Sequence, residues 1–341
     1  MQEELNQFKR SEVWDLVPRP DGINVIGTKW IYKNKSDENG TVTRNKARLV
    51  AQGYTQVEGL DLDETFARLK SIRLLLGVAY IQKFKLFQMD VKSAFLNGYL
   101  HEKVYVEQPK GFTDPNFPNH VYKLKKALYG LKQAPRAWHE RLTEFLVNQG
   151  YRKEGTGKTL FVKEKKWRLM IAQIYVDDIV FGGMSNQMVL HFVHQMQSEF
   201  EMSLVGELTY FLGLQVKQME DTIFISHSMY AKNIVKKFGL DNASQKRTPA
   251  ATHLKLTKDE NGVAVDQSMY KSMIGSLLYL TASIPDITFD VGVYARYQAE
   301  SKMSHLTQVK RILKYINGTS DYGILYSHSE NSRLIGYCDA D

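Results

Sequence analysis

One cysteine, Cys338, in 341 residues leaves no partner for a disulfide and no thiolate set for zinc, and suits a reducing compartment. Only eight prolines exclude a proline-rich linker, and neither an internal repeat nor a low-complexity tract is present. The longest apolar runs, such as 74–81, fall far short of the roughly 20 residues that a membrane span needs. The opening Met-Gln-Glu-Glu-Leu-Asn-Gln has neither a basic region nor an apolar core, so no secretory leader is expected. Apolar residues at 43% and charged residues at 24% are ordinary globular usage, which excludes a disordered tail or a fibre. A chain of 341 residues exceeds what one core usually supports, so two or three parts are expected. The reading at this level is a soluble, intracellular, basic protein of several parts.

The formal charge of +8 is unevenly placed. Residues 121–170 hold thirteen Lys/Arg against Glu140, Glu144, Glu154 and Glu164, a local excess of +9. Residues 226–255 hold six Lys/Arg against Asp241 alone. Tyr122, Tyr129, Trp138, Tyr151 and Trp167 lie among the cations of the first stretch. Stacking residues beside phosphate-binding ones suit nucleic acid better than a membrane surface.

Periodicity predicts a mixed chain. Residues 28–52 alternate around a polar turn at 36–40 and read as a β-hairpin with basic rims. Ser71 is a candidate N-cap for a helix over 72–82, a strand is expected over 85–91, and Asn97-Gly98 signals a hairpin. Pro135 opens a helix whose Trp138, Leu142, Phe145 and Leu146 share one stripe, closed by Gly150. Residues 169–183 read as two apolar strands around a pair of acids. A helix is expected over 186–199, strands over 208–217 and 222–226, and a basic helix over 229–238 before Gly239. Helices over 267–282, after Pro285 and over 304–316 precede strands 322–326 and 333–338. Without regular βαβ alternation, the fold class is α+β, with an antiparallel sheet at its centre and helices on one face.

Chemistry concentrates in Ile174-Tyr175-Val176-Asp177-Asp178-Ile179-Val180. An Asp pair between two apolar strands implies buried carboxylates, which cost several kcal/mol unless they are paired or hold a metal. No cation lies within six residues on either side. Asp90 likewise ends the apolar strand Phe87-Gln88-Met89-Asp90-Val91. Read singly, it is equally an N-cap. Read together, three carboxylates on neighbouring strand ends could hold two Mg²⁺ ions roughly 3.5–4 Å apart for in-line phosphoryl transfer. Val176, at the tight turn, is β-branched and poorly suited to positive φ, so strain is expected there.

Tyr-Val-Asp-Asp between apolar strands, preceded by Asp90-Val91-Lys92-Ser93-Ala94-Phe95, resembles the palm of a reverse transcriptase. Residues 128–138, Leu-Tyr-Gly-Leu-Lys-Gln-Ala-Pro-Arg-Ala-Trp, narrow the resemblance to the copia-type retrotransposon family. Residues 46–53, 88–91, 94–98 and 210–213 agree in order, and the resemblance covers roughly 14–341.

That resemblance implies a right-hand polymerase over 14–240, with fingers about 24–85, palm about 86–225 and thumb about 226–250. A helical connection over 251–326 and the first strand of an RNase H domain over 327–341 would follow. Asp90 and Asp177 would ligate two Mg²⁺ ions, for which Mn²⁺ could substitute, with Asp178 a weaker partner and the Val91 carbonyl assisting. Phe95 matches the steric gate that excludes a ribose hydroxyl. Lys46 and Arg48 match the fingers strand at the dNTP triphosphate. Tyr129 replaces the glutamine of many retroviral enzymes, so stacking on base or sugar is expected in place of a hydrogen bond. Residues 130–135 would pass beneath the templating base, 210–213 would form the primer grip, and helix 229–238 would track the duplex. The implied partners are an RNA template, a DNA or tRNA primer, their RNA–DNA hybrid, dNTPs, and the protease, integrase and RNase H segments of a Pol polyprotein, with no membrane. Cytoplasmic virus-like particles, with nuclear entry in an integration complex, are the implied location. Asp339 alone of the RNase H acids is present, so no RNase H activity is expected and the chain reads as a Pol fragment. A nucleic-acid-binding relic and a two-metal nuclease using the same acids are the alternatives.

Overall fold

A computed structural model describes residues 1–36, 42–53, 69–154, 159–251 and 257–327. Of the expected turn at 36–40 only Ser36 is described, and the strand at 333–338 and Asp339 lie outside the described residues. In chain order the elements begin with α1 (Gln2–Arg10), β1 (Trp14–Val17), β2 (Val25–Ile26), β3 (Thr28–Ser36) and β4 (Val42–Ala51). Then come α2 (Leu69–Ile81), β5 (Leu86–Val91), a 3₁₀ turn (Ala94–Asn97), β6 (Tyr105–Val106), β7 (Val121–Leu124) and α3 (Ala134–Asn148). The strands β8 (Arg152–Glu154), β9 (Leu160–Lys165), β10 (Arg168–Tyr175) and β11 (Asp178–Gly183) lead to α4 (Asn186–Glu199) and β12 (Met202–Glu207). The remainder is β13 (Tyr210–Phe211), β14 (Leu214–Gln218), β15 (Thr222–Ser226), α5 (Ser228–Lys237), α6 (Gln267–Leu280), α7 (Thr288–Ala295), α8 (Met303–Thr319) and β16 (Gly323–Ser327).

The chain divides into two compact units, one of residues 1–67 and 87–206, the other of 68–86 and 207–341. In the first, a sheet ordered β12-β5-β11-β10-β9-β8 is the frame of the site. Antiparallel registers join β8 to β9, β9 to β10 and β10 to β11. Met170, Ala172, Ile174, Ile179 and Phe181 of this sheet bury one face against Trp138, Leu142 and Phe145 of α3 and Phe192 and Met196 of α4. That face supplies the dominant stabilisation, at roughly 1.5–3 kcal/mol for each large apolar side chain removed from water. A second sheet, β1-β7-β6-β2, is antiparallel except where β2 runs parallel to β6, and β3–β4 is a separate two-stranded ribbon. Among the described residues the fold is thus mixed α and β with mainly antiparallel sheets, as the sequence implies.

The second unit has its own core, in which α5, α6, α7 and α8 bury Ile234, Tyr270, Ile274, Leu277, Val291, Val309 and Leu313 among others. Its antiparallel sheet runs β13-β14-β15-β16. Tyr326 of β16 donates its hydroxyl to the Arg73 carbonyl of α2 at 3.3 Å.

Three local expectations are corrected. The α2 helix starts at Leu69, so Ser71 lies inside it and is not its N-cap. Asn97-Gly98 is not a hairpin. Asn97 ends the 3₁₀ turn and donates its amide to the Ser93 and Ala94 carbonyls at 3.3 Å. Gly98 is there because α3 passes so close that a Cβ would meet the Trp138 nitrogen at 2.5 Å and the Ala137 carbonyl carbon at 2.6 Å. The expected strand over 208–217 is broken at Leu212 and Gly213, whose φ of 47° and 77° turn it into the β13–β14 hairpin.

Candidate functional site

Strand alternation decides which side chains meet. Met89 and Val91 of β5 and Ile179 and Phe181 of β11 point into the core, so Gln88, Asp90 and Asp178 emerge on the opposite face. Gln88 donates its side-chain amide to the Asp178 carboxylate at 2.8 Å. Tyr175 pairs with Asp178, so Val176 and Asp177 form the two-residue turn. Of the two, Val176 alone has positive φ, at 54°, the pattern of a II′ hairpin turn in which glycine is usual. The expected strain therefore sits at Val176.

Two backbone contacts anchor that turn. The Val91 N–H donates to the Asp177 carbonyl at 2.8 Å, tying the residue after Asp90 to the turn itself. The Trp138 indole N–H donates to the Val176 carbonyl at 2.6 Å. Burial, followed by repulsion from Asp177 and Asp90, raises the Asp178 carboxyl above its ordinary range, while the Gln88 hydrogen bond opposes the rise. The three acids thus share one electrostatic environment.

Tyr129 and Arg48 join them. Ala51 of β4 donates its N–H to the Tyr129 carbonyl at 2.7 Å, and Gly130, at φ 90°, allows this approach. The Arg48 guanidinium stacks on the Tyr129 ring at 3.9 Å, and the Phe95 ring lies 5.0 Å away on a tilt of 56°. Burial pushes the Tyr129 hydroxyl up to about 12, with Arg48 opposing and Asp177 and Asp90 adding to it. That hydroxyl is buried without a hydrogen-bond partner among the described residues. One face of the ring is therefore already covered by Arg48. Lys46 lies two residues along β4, on the same face of the ribbon as Arg48. Burial raises the Glu4 carboxyl of α1, against the pull of Arg48 and a hydrogen bond from the Leu49 N–H.

Seven of the residues singled out from sequence, Asp90, Val91, Phe95, Tyr129, Asp177, Asp178 and Arg48, are thereby brought together, with Lys46 at the margin. The contacts of Gln88 and Trp138, both already within recognised segments, and those of Glu4 were not anticipated. Gln88 had a signal, being two residues before Asp90 on the same strand face. The other two had none, since their contacts join segments distant in the chain.

As the side chains stand, no group of three His, Cys, Asp or Glu among the described residues is gathered to hold a metal ion. The donor chemistry still fits a hard dication. Carboxylate oxygens are the ligands that Mg²⁺ takes, and the mutual repulsion that raises Asp178 is what a dication would relieve.

Carboxylates on neighbouring strands thus lie near an arginine seated over the Tyr129 ring. The chain belongs to the reverse transcriptase (RNA-dependent DNA polymerase) family, in its copia-type branch, with residues 11–252 matching the family. It is 36% identical over 345 residues to the retrovirus-related Pol polyprotein from transposon RE2 of Arabidopsis thaliana, which covers 100% of this chain and 24% of that protein. It is 34% identical to the Pol polyprotein from transposon TNT 1-94 of Nicotiana tabacum, over 100% of this chain and 27% of that one. Identity to the putative transposon Ty5-1 protein of Saccharomyces cerevisiae is 30%, over 74% of this chain and 82% of that protein. The chain spans about a quarter of the length of the plant polyproteins. A solved foamy viral protease–reverse transcriptase with double-stranded DNA is similar at a TM-score of 0.49 and 14% identity, over 93% of this chain and 48% of that one.

Proposed function

We propose that this chain is an RNA-directed DNA polymerase that extends a primer 3′-hydroxyl with dNTPs on an RNA or DNA template. The observation that carries the reading is the placement of Asp90, Asp177 and Asp178 on neighbouring strands, where burial first and then the other two carboxylates raise the Asp178 carboxyl. Asp90 and Asp177 would hold two Mg²⁺ ions, with Asp178 and the Val91 carbonyl assisting and Mn²⁺ able to replace them. When bound, such ions acidify the attacking hydroxyl and neutralise the leaving pyrophosphate.

The chain's own residues do the rest. Arg48, held flat on Tyr129, presents its remaining N–H donors to the triphosphate, with Lys46 adding charge from the same strand face. Phe95 and Tyr129 form an aromatic wall under the sugar, where a ribose 2′-hydroxyl would clash. The β13–β14 hairpin, which buries Phe211 and exposes Tyr210, would grip the primer. The basic α5 would track the duplex backbone. Sequence-independent holding of the hybrid suits an enzyme that must copy any base. The surrounding assembly would be a Pol polyprotein with protease, integrase and RNase H segments, in cytoplasmic virus-like particles.

Mg²⁺-dependent primer extension on an RNA template, beside Asp177→Asn, tests the reading. Extension by the wild type and its loss in the variant are expected, with hybrid binding that weakens steeply with salt in both. Extension surviving Asp177→Asn would remove Asp177 from the centre. Hybrid binding without extension by the wild type would leave a nucleic-acid-binding protein in place of an enzyme.

A further inference from the structure

We infer that Trp138 is a positioning residue for the acid-bearing turn, its indole N–H locking the peptide that enters Asp177. The inference rests on the reading of the acids as the polymerase centre.

Three observations converge on it. The indole Nε1 lies 2.6 Å from the Val176 carbonyl, and the donor is withdrawn from water, Trp138 being 1% exposed. The acceptor belongs to the residue with φ 54°, a conformation that disfavours a β-branched side chain and persists only where surroundings impose it. The peptide leaving Asp177 is fixed as well, by the Val91 N–H at 2.8 Å. Asp177 therefore stands between two anchored carbonyls, one held from α3 and one from β5, so its Cα has little freedom to swing.

The anchor itself is rigid. The Trp138 ring packs edge-on to Phe200 with centroids 5.2 Å apart. Gly98 lets the backbone after the 3₁₀ turn close onto α3 at Trp138, where any Cβ would collide. That turn starts from the segment carrying Asp90. One helix thus braces both the acid-bearing turn and the segment that follows Asp90. Trp138 also shares a narrow crevice with Phe95, Pro135, Ile174 and Val176, so the aromatic wall and the turn rest on a common support.

Phenylalanine keeps most of the ring and removes the N–H, so Trp138→Phe isolates the hydrogen bond. Losing a side chain that orients a metal ligand typically costs about 10–100-fold in metal affinity or activity. In Trp138→Phe we expect kcat for primer extension to fall about tenfold or more, with dNTP KM and hybrid affinity within about twofold of wild type. Mn²⁺ binding to the free protein, measured by calorimetry, should weaken by a similar factor. A melting temperature within about 3 °C of wild type would exclude global unfolding. Val176→Gly supplies the control, because glycine adopts φ 54° without help. Trp138→Phe should cost several-fold less in that background, and a double-mutant cycle reads the difference. Equal Mn²⁺ affinity and kcat in wild type and Trp138→Phe overturn the inference while leaving the acids' role intact. Equal cost of Trp138→Phe in both backgrounds also overturns it. A wild type that neither binds Mn²⁺ nor extends a primer overturns the reading of the centre and the inference with it.

Discussion

The Arg48 guanidinium lies 3.9 Å above the ring of Tyr129, a residue whose hydroxyl is buried and unpartnered among the described residues. The ring does the work in this contact and the hydroxyl does none. Burying an unmade hydrogen bond costs about 1–3 kcal/mol. Tyr129→Phe should therefore keep the stack and raise the stability of the free protein slightly, by up to about 1 kcal/mol in denaturant titration. A loss of more than that would mean the hydroxyl has a partner. Should the stack orient Arg48 for the triphosphate, Tyr129→Leu should raise the dNTP KM far more than Tyr129→Phe does.

Phe95 meets Tyr129 at 5.0 Å and packs against the cores on both sides of it. With Phe95 as the proposed wall under the sugar, Phe95→Ala would open that space and should narrow the preference for dNTPs over rNTPs by an order of magnitude or more. The ratio of kcat/KM for the two nucleotide classes is the measurement, since it is insensitive to the fraction folded. Truncating a packed Phe also costs about 3 kcal/mol of stability, so the assay belongs well below the melting point. Unchanged discrimination would make Phe95 an ordinary core aromatic.

Asp178 titrates in a direction that can be checked without any substrate. Burial and repulsion from Asp177 and Asp90 raise its folded-state carboxyl above the unfolded value. A raised acid favours the folded state when protonated. Its contribution is complete below the unfolded value near 3.9 and is lost as pH rises through the folded one. At pH 7 the ionised carboxylate is thus a liability in metal-free protein. Asp178→Asn should melt higher than wild type at pH 7 in chelator, and the gap should close below about pH 4. A gap that stays constant across the range would place its cause elsewhere than in ionisation.

What could be read from sequence divides along a physical line. The β3–β4 ribbon, the β10–β11 hairpin and α3 follow from periodicities of 2 and 3.6 inside one segment, and they appear where the pattern puts them. Asn97-Gly98 misled because its hairpin statistics are local, whereas the backbone of α3 pressing on Gly98 is a tertiary fact. β12 escaped notice because Met202–Glu207 is largely exposed and has no apolar alternation. In the site, the acids announce themselves as charges between apolar strands. Trp138 looks like any stripe residue of an amphipathic helix, and nothing local tells that its N–H reaches a carbonyl 38 residues on.

Gly130 joins the site to the β4 strand. Its φ is 90°, and a Cβ there would meet the Ala51 carbonyl oxygen at 2.1 Å and Val50 Cγ1 at 2.5 Å. Backbone strain and overlap act together, so Gly130→Ala should destabilise by about 3 kcal/mol or more. Because the neighbouring Ala51 N–H holds the Tyr129 carbonyl, the same change should displace the Arg48 stack and raise the dNTP KM. A stable Gly130→Ala with unaltered KM would show that β4 can retreat from the loop.

In the second unit, His227 is fully buried, with Nδ1 2.7 Å from the Ser283 hydroxyl and Nε2 unpartnered among the described residues. Its ring is flanked by the rings of Tyr230 and Tyr279. Burial pushes it down to about 4. A depressed histidine favours the folded state when neutral, so its contribution is present above the unfolded value near 6.5 and drains away as pH falls towards 4. At about 1.4 kcal/mol for each unit, the full effect is about 3.5 kcal/mol, a sizeable part of a domain's stability. Denaturation midpoints should therefore fall between pH 6.5 and 4 in wild type. His227→Gln can still hydrogen-bond Ser283 but has no charge to acquire, so it should be less stable at pH 7 and flatter across that interval. A wild-type slope that persists unchanged in His227→Gln would assign the acid sensitivity to other groups.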